Sequence, residues 1–166
     1  MKLELTQKQV IGNLGEDIAV RFLEGKGFEI TERNYRKKFG EIDIVAKKEE
    51  IIHFVEVKTV SRDNLKDPVG QVEDKDNSNK PEDCYRPEDN IHLWKLKRLS
   101  RAIQVYLAEH KFGEEACWQF DVVTVLLDVK NKIARVKLLE DIILWDEHTN
   151  IRIETNMRIA TNKYVW

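Results

Sequence analysis

The stretch that most restricts what this chain can become is a pair of apolar runs that carry acids. Gly40-Glu41-Ile42-Asp43-Ile44-Val45 is followed, after the polar turn Lys47-Lys48-Glu49-Glu50, by Ile51-Ile52-His53-Phe54-Val55-Glu56-Val57-Lys58. β-Branched residues dominate both runs, so they read as a β-hairpin. Side chains alternate across a strand, which puts Glu56 and Lys58 on one face, roughly 6–7 Å apart, and Glu41 and Asp43 on one face of their own strand. The buried face sets the register. Pairing Ile42 and Ile44 with Val55 and Val57 then places Glu41, Asp43, Glu56 and Lys58 on one side.

Phosphodiester cleavage uses such a set. A divalent metal neutralises phosphate charge and acidifies a water, hard carboxylate oxygens hold it, and a cation steadies the developing negative charge. A Glu-x-Lys by itself is commonly a surface ion pair. Glu56 and Lys58, however, end a run apolar enough for a central strand, where unpaired charge is costly to bury. The hairpin therefore points to a metal-dependent hydrolytic site.

The 166 residues fit one domain with a proper core, and 42% hydrophobic with 35% charged residues describes a globular protein. No apolar run approaches the length of a membrane span, and Met1-Lys2-Leu3-Glu4-Leu5 has no signal-like apolar core, which points to a cytoplasmic protein without membrane contact. Cys84 and Cys117 have no CxxC companion and read as reduced bystanders. His53, His92, His110 and His148 show no ligand spacing and read as structural or solvated. Net charge is −2, so any nucleic-acid partner must meet a local basic face.

Thr6 to about Lys26 reads as a helix capped by Thr6, with the stripe Val10, Leu14, Ile18 and Phe22 and stops at Gly25 and Gly27. Glu16 lies opposite that stripe, where a solvated helix acid is the plain reading. A strand follows over Phe28 to Tyr35, then the basic turn Arg36-Lys37-Lys38-Phe39-Gly40 and the hairpin. Ser61 to Arg86 is polar and acidic and reads as an insertion, a lid or a disordered segment. A second helix runs from Pro87-Glu88-Asp89-Asn90 to about Lys111, with Leu96, Leu99, Ile103 and Tyr106 inward. Its neighbouring face carries Lys95, Arg98 and Arg101, read either as a solvated basic face or as a phosphate-contacting ridge. Ala116 to Leu127 reads as a central strand and Lys132 to Leu139 as a half-exposed one. The tail to Trp166 reads as an added edge strand or a loose extension. These elements predict an α/β domain over 1–145, with a polar insertion at 61–86 and a C-terminal extension at 146–166.

Asp43 with Glu56-Val57-Lys58 resembles the PD-(D/E)xK nuclease signature. The wider pattern resembles the YraN family of endonuclease-like proteins, themselves distantly similar to archaeal Holliday junction resolvases. The matching residues are Gly12-Asn13-Leu14-Gly15-Glu16 with Ala19, Gly27-Phe28, Asn34-Tyr35-Arg36, Gly40 to Val45, Phe54 to Thr59, Lys95, and Phe120-Asp121-Val122-Val123. The resemblance implies a restriction-endonuclease-like fold, a mixed central sheet flanked by helices with a helix-strand-strand-strand-helix-strand core. It implies Asp43 and Glu56 as ligands of Mg²⁺ or Mn²⁺, Lys58 as catalytic cation, and Glu16 as a third acid at the metal. It also implies a homodimer. Val60 and Gln119 stand where the family usually has arginine, and the Ser61–Arg86 insertion is long and acidic. These departures touch DNA contact more than metal binding.

Two functions follow. The first is a metal-dependent endonuclease hydrolysing DNA phosphodiesters, on branched or recombination-related DNA, with Arg36, Lys37, Lys38, Lys95, Arg98 and Arg101 seating the backbone. The second is a non-catalytic module on a nuclease fold that binds nucleic acid or protein, or one whose acidic insertion takes a basic partner.

Overall fold

The structure, a computed structural model, describes residues 5–61, 93–113, 115–142 and 159–165, and the side chains of 93–97 and 159–161 fall outside that description. Two helices and six strands follow in the order α1 (Gln7–Glu24), β1 (Glu29–Lys37), β2 (Gly40–Lys48), β3 (Ile51–Ser61), α2 (Leu93–Glu109), β4 (Trp118–Asp128), β5 (Ile133–Leu139) and β6 (Ile159–Val165). The strands form one sheet in chain order. All neighbours are antiparallel except β3 and β4, which run parallel and are separated in the chain by the segment that contains α2. This is the helix-flanked mixed sheet of the restriction-endonuclease-like class.

Thr6 caps α1 through a capping box with Gln9, and the helix ends at Gly25. The buried face of α1 is Gly15, Ile18, Ala19, Phe22 and Leu23. The expected stripe is therefore rotated: Val10 is exposed, and Gly15 and Leu23 face the sheet instead. The cause is backbone proximity. A Cβ on Gly15 would collide with the Thr59 side chain, so α1 crosses β3 with its backbone packed directly on that side chain.

Successive residues of β3 feed two cores. Val55 packs under α1 with Ile18, Phe22, Ile44 and Val123, whereas Phe54 packs under α2 with Tyr35, Ile103, Tyr106 and Val122. The helices thus cover opposite faces of the sheet, and β3 is buried on both sides, as its apolar run demands. On α2, Leu99, Ala102, Ile103 and Tyr106 face inward. The side chain of Leu96 and the helix start at 87–90 lie outside the description, as do positions 62–86 of the polar insertion. In the tail, residues 159–165 take the edge-strand reading and pair with the whole of β5. Positions 143–158 lie outside the described residues. Among the described residues no helix is long and apolar enough to cross a membrane.

Candidate active site

Asn34 and Asp43 face each other between the cross-strand pairs Arg33–Ile44 and Tyr35–Ile42. Asn34 has φ 54°, a left-handed conformation that asparagine tolerates better than most residues. Here both strands switch faces. Ile44 packs under α1 but Ile42 packs under α2, with Tyr35. The shared apolar face expected for Ile42 and Ile44 is therefore corrected: the irregularity at Asp43 sends them to different cores.

The switch determines what Asp43 does. Regular pairing of β2 with β3 reaches Ile44–Val55. Beyond it, Asp43 Oδ2 accepts the Val57 backbone N–H at 2.7 Å, so a carboxylate takes the place of a ladder carbonyl. Asp43 is thereby tied to β3 next to Glu56. Glu56 is 4% exposed, and Lys58 Nζ stands 3.1 Å from its Oε1. Glu41 does not join them. It is exposed and paired with Arg36 at 3.3 Å.

Glu16 reaches the same end of β3 from the α1 side, carried there by the Gly15–Thr59 contact. Its Oε2 accepts from Asn34 Nδ2 at 3.1 Å and lies 4.0 Å from Arg33, whose guanidinium donates to Asp17 at 2.7 Å. A shallow polar depression of about 480 Å³ opens here, lined by Asn13, Glu16, Asp17, Arg33, Asn34 and Arg36. Among the described residues, no three His, Cys, Asp or Glu side chains are grouped to hold a metal ion. Asp43 and Glu56 are neighbours, and Glu16 is linked to that end of the sheet through Asn34.

The basic residues divide. Gly40 seats on the Arg98 backbone so closely that a Cβ would strike its carbonyl, and Arg98 Nε donates to Phe39 O at 3.1 Å. The turn Lys38-Phe39 and the start of the ridge on α2 are therefore adjacent. Lys37 is paired with Glu109 at 2.7 Å, and Lys38 lies over the Phe39 ring. Arg101 is exposed one turn beyond Arg98. The side chain of Lys95 lies outside the described residues.

Two polar clusters went unread in the sequence. Tyr35 donates its hydroxyl to Glu109 at 2.8 Å. Burial, then that bond, pushes the Tyr35 hydroxyl well above its ordinary value, while the bonds from Lys37 and Tyr35 hold the Glu109 carboxyl below the usual range. At the other end of the sheet, His53 is buried and its Nδ1 lies 2.7 Å from Asp121 Oδ2. The sequence marks Asp121, an acid in the middle of an apolar strand. Its partner sits 68 positions away and has no spacing signal.

The profile of "Uncharacterised protein family UPF0102" matches residues 15–125, a span that holds Glu16, Asp43, Glu56, Lys58 and all the basic residues above. A UPF0102 protein of Caldicellulosiruptor bescii is 32% identical over 131 residues, covering 79% of this chain and 94% of the relative. One from Caldicellulosiruptor saccharolyticus is 35% identical over 134 residues, covering 81% and 97%. One from Campylobacter lari is 36% identical over 133 residues, covering 80% and 93%.

Proposed function

The chain belongs to the UPF0102 family, the YraN family of the sequence resemblance, and on that footing we propose that it is a metal-dependent endonuclease acting on DNA phosphodiesters in the cytoplasm. The observation that carries this reading is the Asp43 carboxylate tied to Val57 N–H beside the buried Glu56 and its half-buried partner Lys58. Hard oxygen donors suit Mg²⁺ or Mn²⁺, and Mg²⁺ is commonly held by one or two carboxylates with waters completing its shell. Asp43 and Glu56 fit that requirement. Glu16, bonded to Asn34, serves at one remove by fixing the distortion that positions Asp43. When bound, the cation would supply charge neutralisation at the phosphate and acidify a water.

The chain's own residues do the rest. Burial of Glu56 keeps its carboxylate orientation fixed. Lys58, one-fifth exposed, keeps its ammonium at the boundary between that carboxylate and solvent, where it can meet a negatively charged oxygen. Lys38, Arg98 and Arg101, clustered by the Gly40–Arg98 contact, would take backbone phosphates. Branched DNA and a homodimer are further parts of this proposal and rest on the family resemblance.

One observation favours the second reading, a binding module without cleavage: no three-carboxylate cluster stands among the described residues. Calorimetric titration with Mg²⁺ or Mn²⁺ separates the two. The nuclease reading predicts binding heat that disappears in both Asp43→Asn and Glu56→Gln. Heat unchanged by both substitutions refutes the metal site.

A further inference from the structure

The His53–Asp121 pair lies three residues before Glu56 on β3, roughly 10 Å back along the strand. It borders a separate cavity of about 460 Å³ whose lining includes Lys48, Glu49, His53, Gln119, Glu140 and Asp141. Asp121 is fully buried and orders this cavity from behind. Its Oδ2 meets His53 Nδ1, and its Oδ1 accepts from Gln119 Nε2 and from the Asp141 backbone N–H, each at 2.9 Å. A carboxylate only accepts, so these bonds fix which atoms remain for the cavity. An acceptor-only Asp121 takes its hydrogen bond from His53 Nδ1, so Nε2 is the ring nitrogen left for the cavity. Gln119 has committed its amide nitrogen to Asp121, leaving its oxygen. His53 is 3% exposed, and among the described residues its Nε2 has no hydrogen-bond partner.

Three of the other four charged or polar wall groups carry negative charge. Glu49, Glu140 and Asp141 are acids. Lys48 is the cation in the wall, and its ammonium lies 4.7 Å over the Phe28 ring, drawn off by a cation–π contact. Asp141 has φ 56°, so the backbone there is held in a left-handed turn by its bond to Asp121.

We propose that this cavity binds an organic ammonium group, with His53 Nε2, the Gln119 amide oxygen and the carboxylates of Glu140 and Asp141 as acceptors for its N–H bonds. An ammonium brings three donors to a wall of acceptors and matches its negative charge. A bare metal ion matches less well, because no metal-holding group of three His, Cys, Asp or Glu exists among the described residues. The site is independent of the nuclease reading.

The test is a titration of the full chain with 1,5-diaminopentane, followed by long-range ¹H–¹⁵N spectra of His53. The free protein shows the Nδ1–H tautomer, and the diamine shifts the Nε2 resonance saturably. Glu140→Gln and Asp141→Asn each weaken binding by about tenfold, the loss of one charge-assisted hydrogen bond. Asp141→Asn keeps the backbone bond to Asp121 and suits the positive φ, so the fold survives the substitution. An Nε2 resonance that never moves with diamine overturns the proposal. So does a shift produced by Mn²⁺ alone, or equal affinity in wild type and both variants.

Discussion

Among single residues, the site hinges on a carboxylate that has replaced a backbone acceptor. Asp43 holds Val57 N–H, and Glu56 is buried against Lys58. Removing one member of a buried charge pair is far costlier than removing both, because the survivor is left in a medium that solvates it poorly. Lys58→Ala should therefore lower unfolding free energy by roughly 3 kcal/mol, while Glu56→Gln/Lys58→Met stays within about 1 kcal/mol of wild type. Urea melts of the three proteins check this, and equal stability of the single and double variants would deny that the buried Glu56 carboxylate depends on Lys58. Gly15 gives a second residue-scale prediction. Gly15→Ala forces a Cβ into Thr59 and should cost about 1–3 kcal/mol, partly recovered by Thr59→Ala in a double-mutant cycle.

At the element scale, much was legible because period and punctuation report local physics. The Thr6 cap, the pairing of β2 with β3 and the apolar run of β4 were readable in the sequence. The face of α1 was not, since the Gly15–Thr59 approach depends on a residue 44 positions away. Nor was the switch at Asn34 and Asp43, because a left-handed asparagine inside a strand leaves no trace in hydrophobic periodicity. That switch is what separates Glu41 from Asp43 and ties Glu16 to Asn34. Elements also explain a pH response. The Tyr35–Glu109–Lys37 cluster joins β1 to the end of α2. Glu109 titrates lower in the folded state than its ordinary 4.5, so its contribution is present above that pH and fades as acid protonates the folded carboxyl. Tyr35 titrates higher than its ordinary 10.0, so its contribution is present below pH 10 and fades as alkali rises toward the folded value. Tyr35→Phe should flatten the alkaline limb of a stability–pH curve and leave its neutral region within about 1 kcal/mol. An alkaline limb unchanged in Tyr35→Phe would contradict the assignment.

At the scale of the whole molecule, chemistry and charge are unevenly distributed. The chain carries a net charge of −2, yet Lys38, Arg98 and Arg101 gather at the end of the sheet that holds Asp43, Glu56 and Lys58. DNA affinity should therefore be modest and local. Neutralising Lys38 or Arg101 should each reduce the slope of log affinity against log salt by about 1, without change in sequence preference. Fluorescence anisotropy across a salt series reads both. The purified chain is incubated with a branched DNA substrate in Mg²⁺ or Mn²⁺, beside Asp43→Asn, Glu56→Gln and Lys58→Met preparations of verified fold. The wild type should cleave strands in a metal-dependent way, and each variant should lose about a hundredfold or more of that activity. Cleavage that persists equally in all four proteins, or a wild type that binds the DNA and never cuts it, would contradict the nuclease reading.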